Sequence, residues 1–203
     1  MTNLEIHAAD KPPPRRVLGR ACPHCGERLA VTWERQQALT LITQGAAARG
    51  IAQQLGLGTR ANPDATAAEG LLARALDHLG AASRAQAVDI AYRTMLLPAP
   101  ARPVYLTRAL TDHEAQIVRH LLLGHSAVET AALLGIDRGR LIHVLGRLAA
   151  DLGVPEGPGR TVMTVYQLHG ARLLPTATPA AAEPPSRRRP PAWCGGSPVR
   201  TAG

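Results

Sequence analysis

Residues Leu110 to Gly124 read LTDHEAQIVRHLLLG, and the chain uses the same plan earlier, at Val31 to Gly45, as VTWERQQALTLITQG. A second glycine follows each stretch eleven residues on, in IAQQLG ending at Gly56 and in TAALLG ending at Gly135. Both copies then run through a longer helical stretch to a Leu-Gly pair, Leu79-Gly80 and Leu152-Gly153, and on to V-x-x-x-Y at Val88/Tyr92 and Val162/Tyr166. A pattern repeated at matched spacing marks one supersecondary unit used twice. The unit is a small bundle of helices.

Helix boundaries in the second copy follow from capping chemistry. Thr111 with Glu114 three residues on makes a capping box that opens a helix toward Gly124. Ser126 with Glu129 opens the next, which ends at Leu134-Gly135, and Asp137 is placed to cap a third from about Arg138 to Leu152. Along that third helix Leu141, Leu145, Leu148 and Leu152 form one apolar stripe. Two helices joined by a few residues around a glycine, with the third lying on the first two, form a helix-turn-helix whose outer face is offered to a major groove.

Composition bounds the fold. The 203 residues are 45% hydrophobic and 19% charged, enough for real cores and better suited to two small domains than to one large one. Aromatic residues make up only 2%, so the cores must be built from Leu, Ala, Val and Ile, which disfavours a sheet. The expected fold class is all-α, with two tandem four-helix helix-turn-helix modules and disordered termini.

The formal net charge of +8 sits mostly in the flanks. Residues 31 to 175 hold fourteen Arg against eleven acids, while residues 1 to 30 add a surplus of two and residues 176 to 203 a surplus of three. Basic arms raise affinity for phosphate by counterion release, and they also serve solubility. The arginine and alanine bias, with Lys11 the single lysine, reads as the codon usage of a GC-rich bacterial genome.

The organisation along the chain has five parts. Residues 1–30 read as a flexible segment carrying a CPHC knuckle, and 31–98 as the first helical module. Residues 99–109 form a Pro-rich linker, since PAPARP interrupts helical periodicity. Residues 110–175 are the second module, and 176–203 a disordered, basic, Pro-rich tail. No apolar run approaches the roughly 20 residues that span a bilayer, and MTNLEIHAADKPPPRR lacks a signal-peptide core, so the expected location is the cytoplasm.

The order L-T-x-x-E, a glycine closing helix one, A-x-x-L-G at the turn after helix two, Leu-Gly ending helix three and a final A-V-x-x-A-Y helix resembles the LuxR/GerE family of DNA-binding domains. The first unit is most similar at its end, LDHLGAASRAQAVDIAYRTMLLP, and the second at its start, LTDHEAQIVRHLLLG. The resemblance implies two four-helix modules that bind double-stranded DNA and regulate transcription; a homodimer and RNA polymerase are separate candidate partners. Gly56 to Gly80 is six residues longer than Gly135 to Gly153, which places an insertion at about Gly58 to Pro63 and gives Asp64 the capping place of Asp137. Where the family often has a basic residue after the buried valine of helix three, this chain has Glu69 and Ile142.

The residues expected to meet DNA are Arg138, Arg140, His143, Arg147 and Ser126 in the second unit, with Arg74 and Thr66 in the first. Arg140, His143 and Arg147 sit at i, i+3 and i+7, whereas the matched positions of the first unit are Ala67, Gly70 and Arg74. Arginine pairs with guanine or holds a phosphate, and alanine and glycine do neither. The second unit is therefore the expected main reader, with the first pairing chains through its last helix around Ala87 to Tyr92. The alternative is a non-catalytic protein-interaction module that docks on another regulator or on RNA polymerase.

Cys22-Pro-His-Cys25-Gly resembles one knuckle of a zinc ribbon, with Cys22 and Cys25 as candidate metal ligands. A second knuckle is missing, so His7, His24, His78, Cys194 or a second chain would have to complete a four-ligand site; free thiols and no cofactor are the other outcome. His113, His120, His125 and His169 show no spacing with a nucleophile or carboxylate that suggests a triad, and no Gly-rich phosphate loop is present. The chain does not read as an enzyme.

Overall fold

The computed structural model describes residues 15–21, 28–100, 106, 108–171 and 173–174. Two strands come first, β1 (Arg16–Ala21) and β2 (Arg28–Thr32), followed by α1 (Trp33–Thr43), α2 (Ala48–Leu55), α3 (Ala65–Leu79) and α4 (Arg84–Arg93). The remainder is α5 (Asp112–Leu122), α6 (Ala127–Leu133), α7 (Arg138–Asp151) and α8 (Arg160–Gly170). The protein is mostly helical with one small sheet.

The caps act where the sequence places them. Thr111 and Glu114 form a complete capping box on α5, as Ser126 and Glu129 do on α6. Asp137 accepts from the Arg140 N–H at 2.8 Å and Asp64 from the Ala67 N–H at 2.9 Å, so both longer helices start in the same way. The matched glycines Gly45/Gly124, Gly56/Gly135 and Gly80/Gly153 all adopt positive φ, the left-handed conformation that ends a helix without a Cβ clash. The six-residue excess of the first copy is a closed turn between α2 and α3, in which Gly58 bridges to Pro63 and the Asp64 N–H donates to the Leu57 carbonyl at 2.9 Å. It leaves the start of α3 equivalent to that of α7.

Packing follows the apolar stripes. α3 lies on α1 and α2 and also touches α4, and α7 lies on α5 and α6 and also touches α8. One core joins Leu29 and Val31 of β2 with Leu39, Ile42, Ile51, Leu72, Leu79 and Val88. A second gathers Val118, Leu148, Leu152 and Leu168, and a third Ile117, Leu121, Ala131 and Leu141. Each fully buried leucine or isoleucine contributes roughly 1.5–3 kcal/mol.

The structure corrects two expectations. Part of the segment 1–30 is not a flexible lead-in, since Arg16–Ala21 and Arg28–Thr32 pair antiparallel with Arg16 opposite Thr32 and Leu18 opposite Ala30. The fold is accordingly helical with a hairpin rather than all-α. An isolated two-stranded ribbon is marginal in water, and this one is held by its neighbours. Leu29 and Val31 enter the first core, the Arg20 N–H donates to the Thr94 carbonyl at 2.6 Å, and His78 Nε2 meets the Ala30 carbonyl at 2.6 Å.

Three further observations concern the two halves. They do not have independent cores, because Val162, Val165 and Tyr166 of α8 belong to the first core while Met163 and Leu168 belong to the second. The start of the 99–109 linker is packed: the Tyr166 hydroxyl donates to the Pro98 carbonyl at 2.8 Å, and a Cβ on Gly170 would lie 2.6 Å from Pro100. The stretch Ala87 to Tyr92 has no open face for pairing chains, since Ala87, Val88, Asp89 and Ala91 are buried and α4 lies against α8. Residues 176–203 lie outside the described residues.

Candidate nucleic-acid interface

α7 is built to hold one face in and show the other. Leu141, Leu148, Ala149 and Leu152 are fully buried, with Val144 and Leu145 half-buried beside them. At about 100° per residue, Arg140, His143 and Arg147 fall within roughly 60° of one another on the flank and far side of that stripe. All three are exposed, as is Arg138 at the helix start. Among the described residues no carboxylate forms an ion pair with Arg138, Arg140 or Arg147. The two acids that flank the helix are both engaged, Asp137 in the cap and Asp151 with Arg108 at 2.7 Å.

The matched face of α3 is different. Thr66 and Arg74 are exposed, but Glu69 lies between them and pairs with Arg84 of α4. Asp77 is exposed on the same helix, and His78 is turned to β2. Arg74 lies back along its own helix, its Nη1 only 3.5 Å from where a Cβ on Gly70 would stand. The exposed side of α3 thus carries one arginine with Asp77 nearby, where α7 carries three arginines and a histidine.

Ser126 is exposed at the start of α6, and its hydroxyl accepts from the Glu129 N–H at 3.2 Å. Its own N–H donates to Glu129 at 2.7 Å, and that bond, with the hydroxyl, holds the Glu129 carboxyl below its ordinary value. Ser126 thus orders the turn in front of α6. Cys22, Cys25, His7, His24 and Cys194 lie outside the described residues; His78, the remaining candidate ligand, is committed to the Ala30 carbonyl.

Two positioning contacts were not legible in the sequence. Arg108 grips Glu114 with both Nη atoms at 2.7 Å and reaches Asp151 at 2.7 Å, joining the start of α5 to the end of α7. Arg160 of α8 donates to the Gly146 carbonyl of α7 at 2.9 Å. Glu114 carries a local signal as a capping-box residue, but Arg108 reaches Asp151 across 43 residues, and nothing in the intervening sequence points to that pairing. Ile142, where the family pattern often has a basic residue, is 52% exposed on the flank of α7 opposite Arg147.

No family model, curated protein or solved structure matches the chain. Among the described residues no helix is long and apolar enough to cross a membrane.

Proposed function

We propose that the chain is a DNA-binding regulator of transcription built from two tandem helix-turn-helix modules of the LuxR/GerE type, α1–α4 and α5–α8, with α7 as the main reader. The observation that carries this is the unpaired basic face of Arg138, Arg140, His143 and Arg147, set opposite a buried leucine stripe on a helix fixed at both ends by Asp137 and Asp151. Such a helix can place guanidinium groups against guanine edges or phosphates without first breaking ion pairs. Ser126 supports the turn that would approach the backbone, and Arg74 and Thr66 of α3 make the lesser contribution.

Salt-dependent binding of a fluorescent duplex to the full chain tests this. Affinity should fall steeply as salt rises, and Arg140→Ala and Arg147→Ala should each cost about 1–3 kcal/mol if they read bases, or lower the salt slope by about one each if they hold phosphates. Absence of salt-sensitive duplex binding would sink the proposal. One observation favours a second reading, a non-catalytic module that docks on another regulator or on RNA polymerase. Leu123, Val128, Leu133 and Ile142 are all more than half exposed and all lie on α5–α7 or their connecting turns. In that case these apolar residues, and not the arginines, would control the partner's affinity.

A further inference from the structure

We infer that one chain reads one DNA site as the single-chain equivalent of a two-fold dimer, α7 engaging one half-site and α3 a weaker second one, with no second copy required. The inference rests on the DNA-binding reading above and deepens it.

The packing of the halves is reciprocal. α4 and α8, equivalent helices of the repeat, lie against each other, while α1 packs on α8 and α5 packs on α4. Equivalent residues meet at the centre: Tyr92 and Tyr166 are in edge-on contact with ring centroids 6.3 Å apart. The equivalent glycines Gly45 and Gly124 close the swap, Gly45 against Met163 near the start of α8 and Gly124 against Gln86 near the start of α4. A surface in which element i meets j and its equivalent meets i in return is the signature of an isologous, two-fold contact. Here both partners are in one chain.

The contact is also buried. His169 of α8 lies 2.9 Å from Asp89 of α4, both under one-tenth exposed, and stacks on Tyr92 at 4.4 Å. The surface through which a second copy would have to pair by this helix is already filled. Two-fold helix-turn-helix particles meet duplex half-sites about one helical turn apart, because the duplex has matching local two-fold axes. α3 and α7 are the equivalent outward helices of this particle, but their faces are unequal, Thr66, Glu69 and Arg74 against Arg138, Arg140, His143 and Arg147. The DNA site is therefore expected to be bipartite and asymmetric.

The full chain would be used to select duplexes from a random library of about 30 base pairs, long enough for two half-sites a helical turn apart. Light scattering would then count chains per duplex, and hydroxyl-radical footprinting would map protection. The expected result is one chain per duplex with two protected blocks about 10 base pairs apart. Arg147→Ala should erase the stronger block and weaken binding about 5- to 150-fold. Arg74→Ala should erase only the weaker block, with a smaller loss. Both side chains are exposed, so neither change threatens folding. Duplex binding with two chains per site, or with a single protected block, would overturn this inference and leave the DNA-binding reading standing. Failure to select any duplex would overturn both.

Discussion

Replacing Glu114 with Gln removes one charge from a buried position while keeping the size of the side chain. The carboxylate is 8% exposed and takes both Nη atoms of Arg108 at 2.7 Å, the Thr111 N–H at 2.8 Å and the Thr111 hydroxyl at 2.9 Å. Hydrogen bonds from Arg108 are the largest cause holding this carboxyl at about 2 instead of 4.5; burial opposes them, and the Thr111 N–H and hydroxyl assist. That depression corresponds to about 3 kcal/mol favouring the charged folded form. Screening at the partly open Arg108 makes this an upper figure. In the Gln variant an amide N–H also faces the guanidinium, donor against donor.

The pH dependence has a definite sign. Because the folded value lies below the unfolded one, the contribution is complete above about 4.5 and is lost as pH falls toward 2. Urea unfolding of the wild type and Glu114→Gln should therefore differ by up to about 3 kcal/mol at pH 7 and by less than half of that at pH 3. Other carboxylates titrate in both proteins and cancel in the difference. A gap that stays constant from pH 7 to pH 3 would refute the reasoning, and so would an Arg108→Ala variant that leaves the effect of Glu114→Gln unchanged. The same residues fix the end of α7 through Asp151, so the Gln variant should also weaken duplex binding at pH 7.

Two further outcomes are expected. Leu168→Ala, at a fully buried position on the helix that serves two cores, should cost about 2–5 kcal/mol and leave a single unfolding transition, with calorimetric and van't Hoff enthalpies equal; two resolved transitions would mean that the halves fold separately. Chelation with EDTA should leave the melting temperature unchanged, because Cys22 and Cys25 supply only two of the four ligands that a structural zinc needs and the second knuckle is missing from the sequence; a drop of several degrees, reversed by added zinc, would count against this.

The sequence by itself determined the local architecture. Thr111 with Glu114, Ser126 with Glu129, Asp64 and Asp137 open helices where capping predicts, and the Gly58 to Pro63 excess lies in the turn assigned to it. Those signals act over three or four residues, so they can be read from neighbours along the chain. The exposed basic flank of α7 was legible for the same reason, since periodicity alone separates Arg140, His143 and Arg147 from the buried leucines. What only the tertiary structure decided is everything that depends on distant partners. The hairpin exists because Leu29 and Val31 find the first core and Arg20 finds Thr94. Arg108 finds Asp151 across 43 residues, and α8 lies between two cores so that the repeats pack on each other. A strand pair too short to be stable alone, or a helix apolar on more than one side, carries no local mark of the surface that will cover it; only the assembled chain supplies that surface.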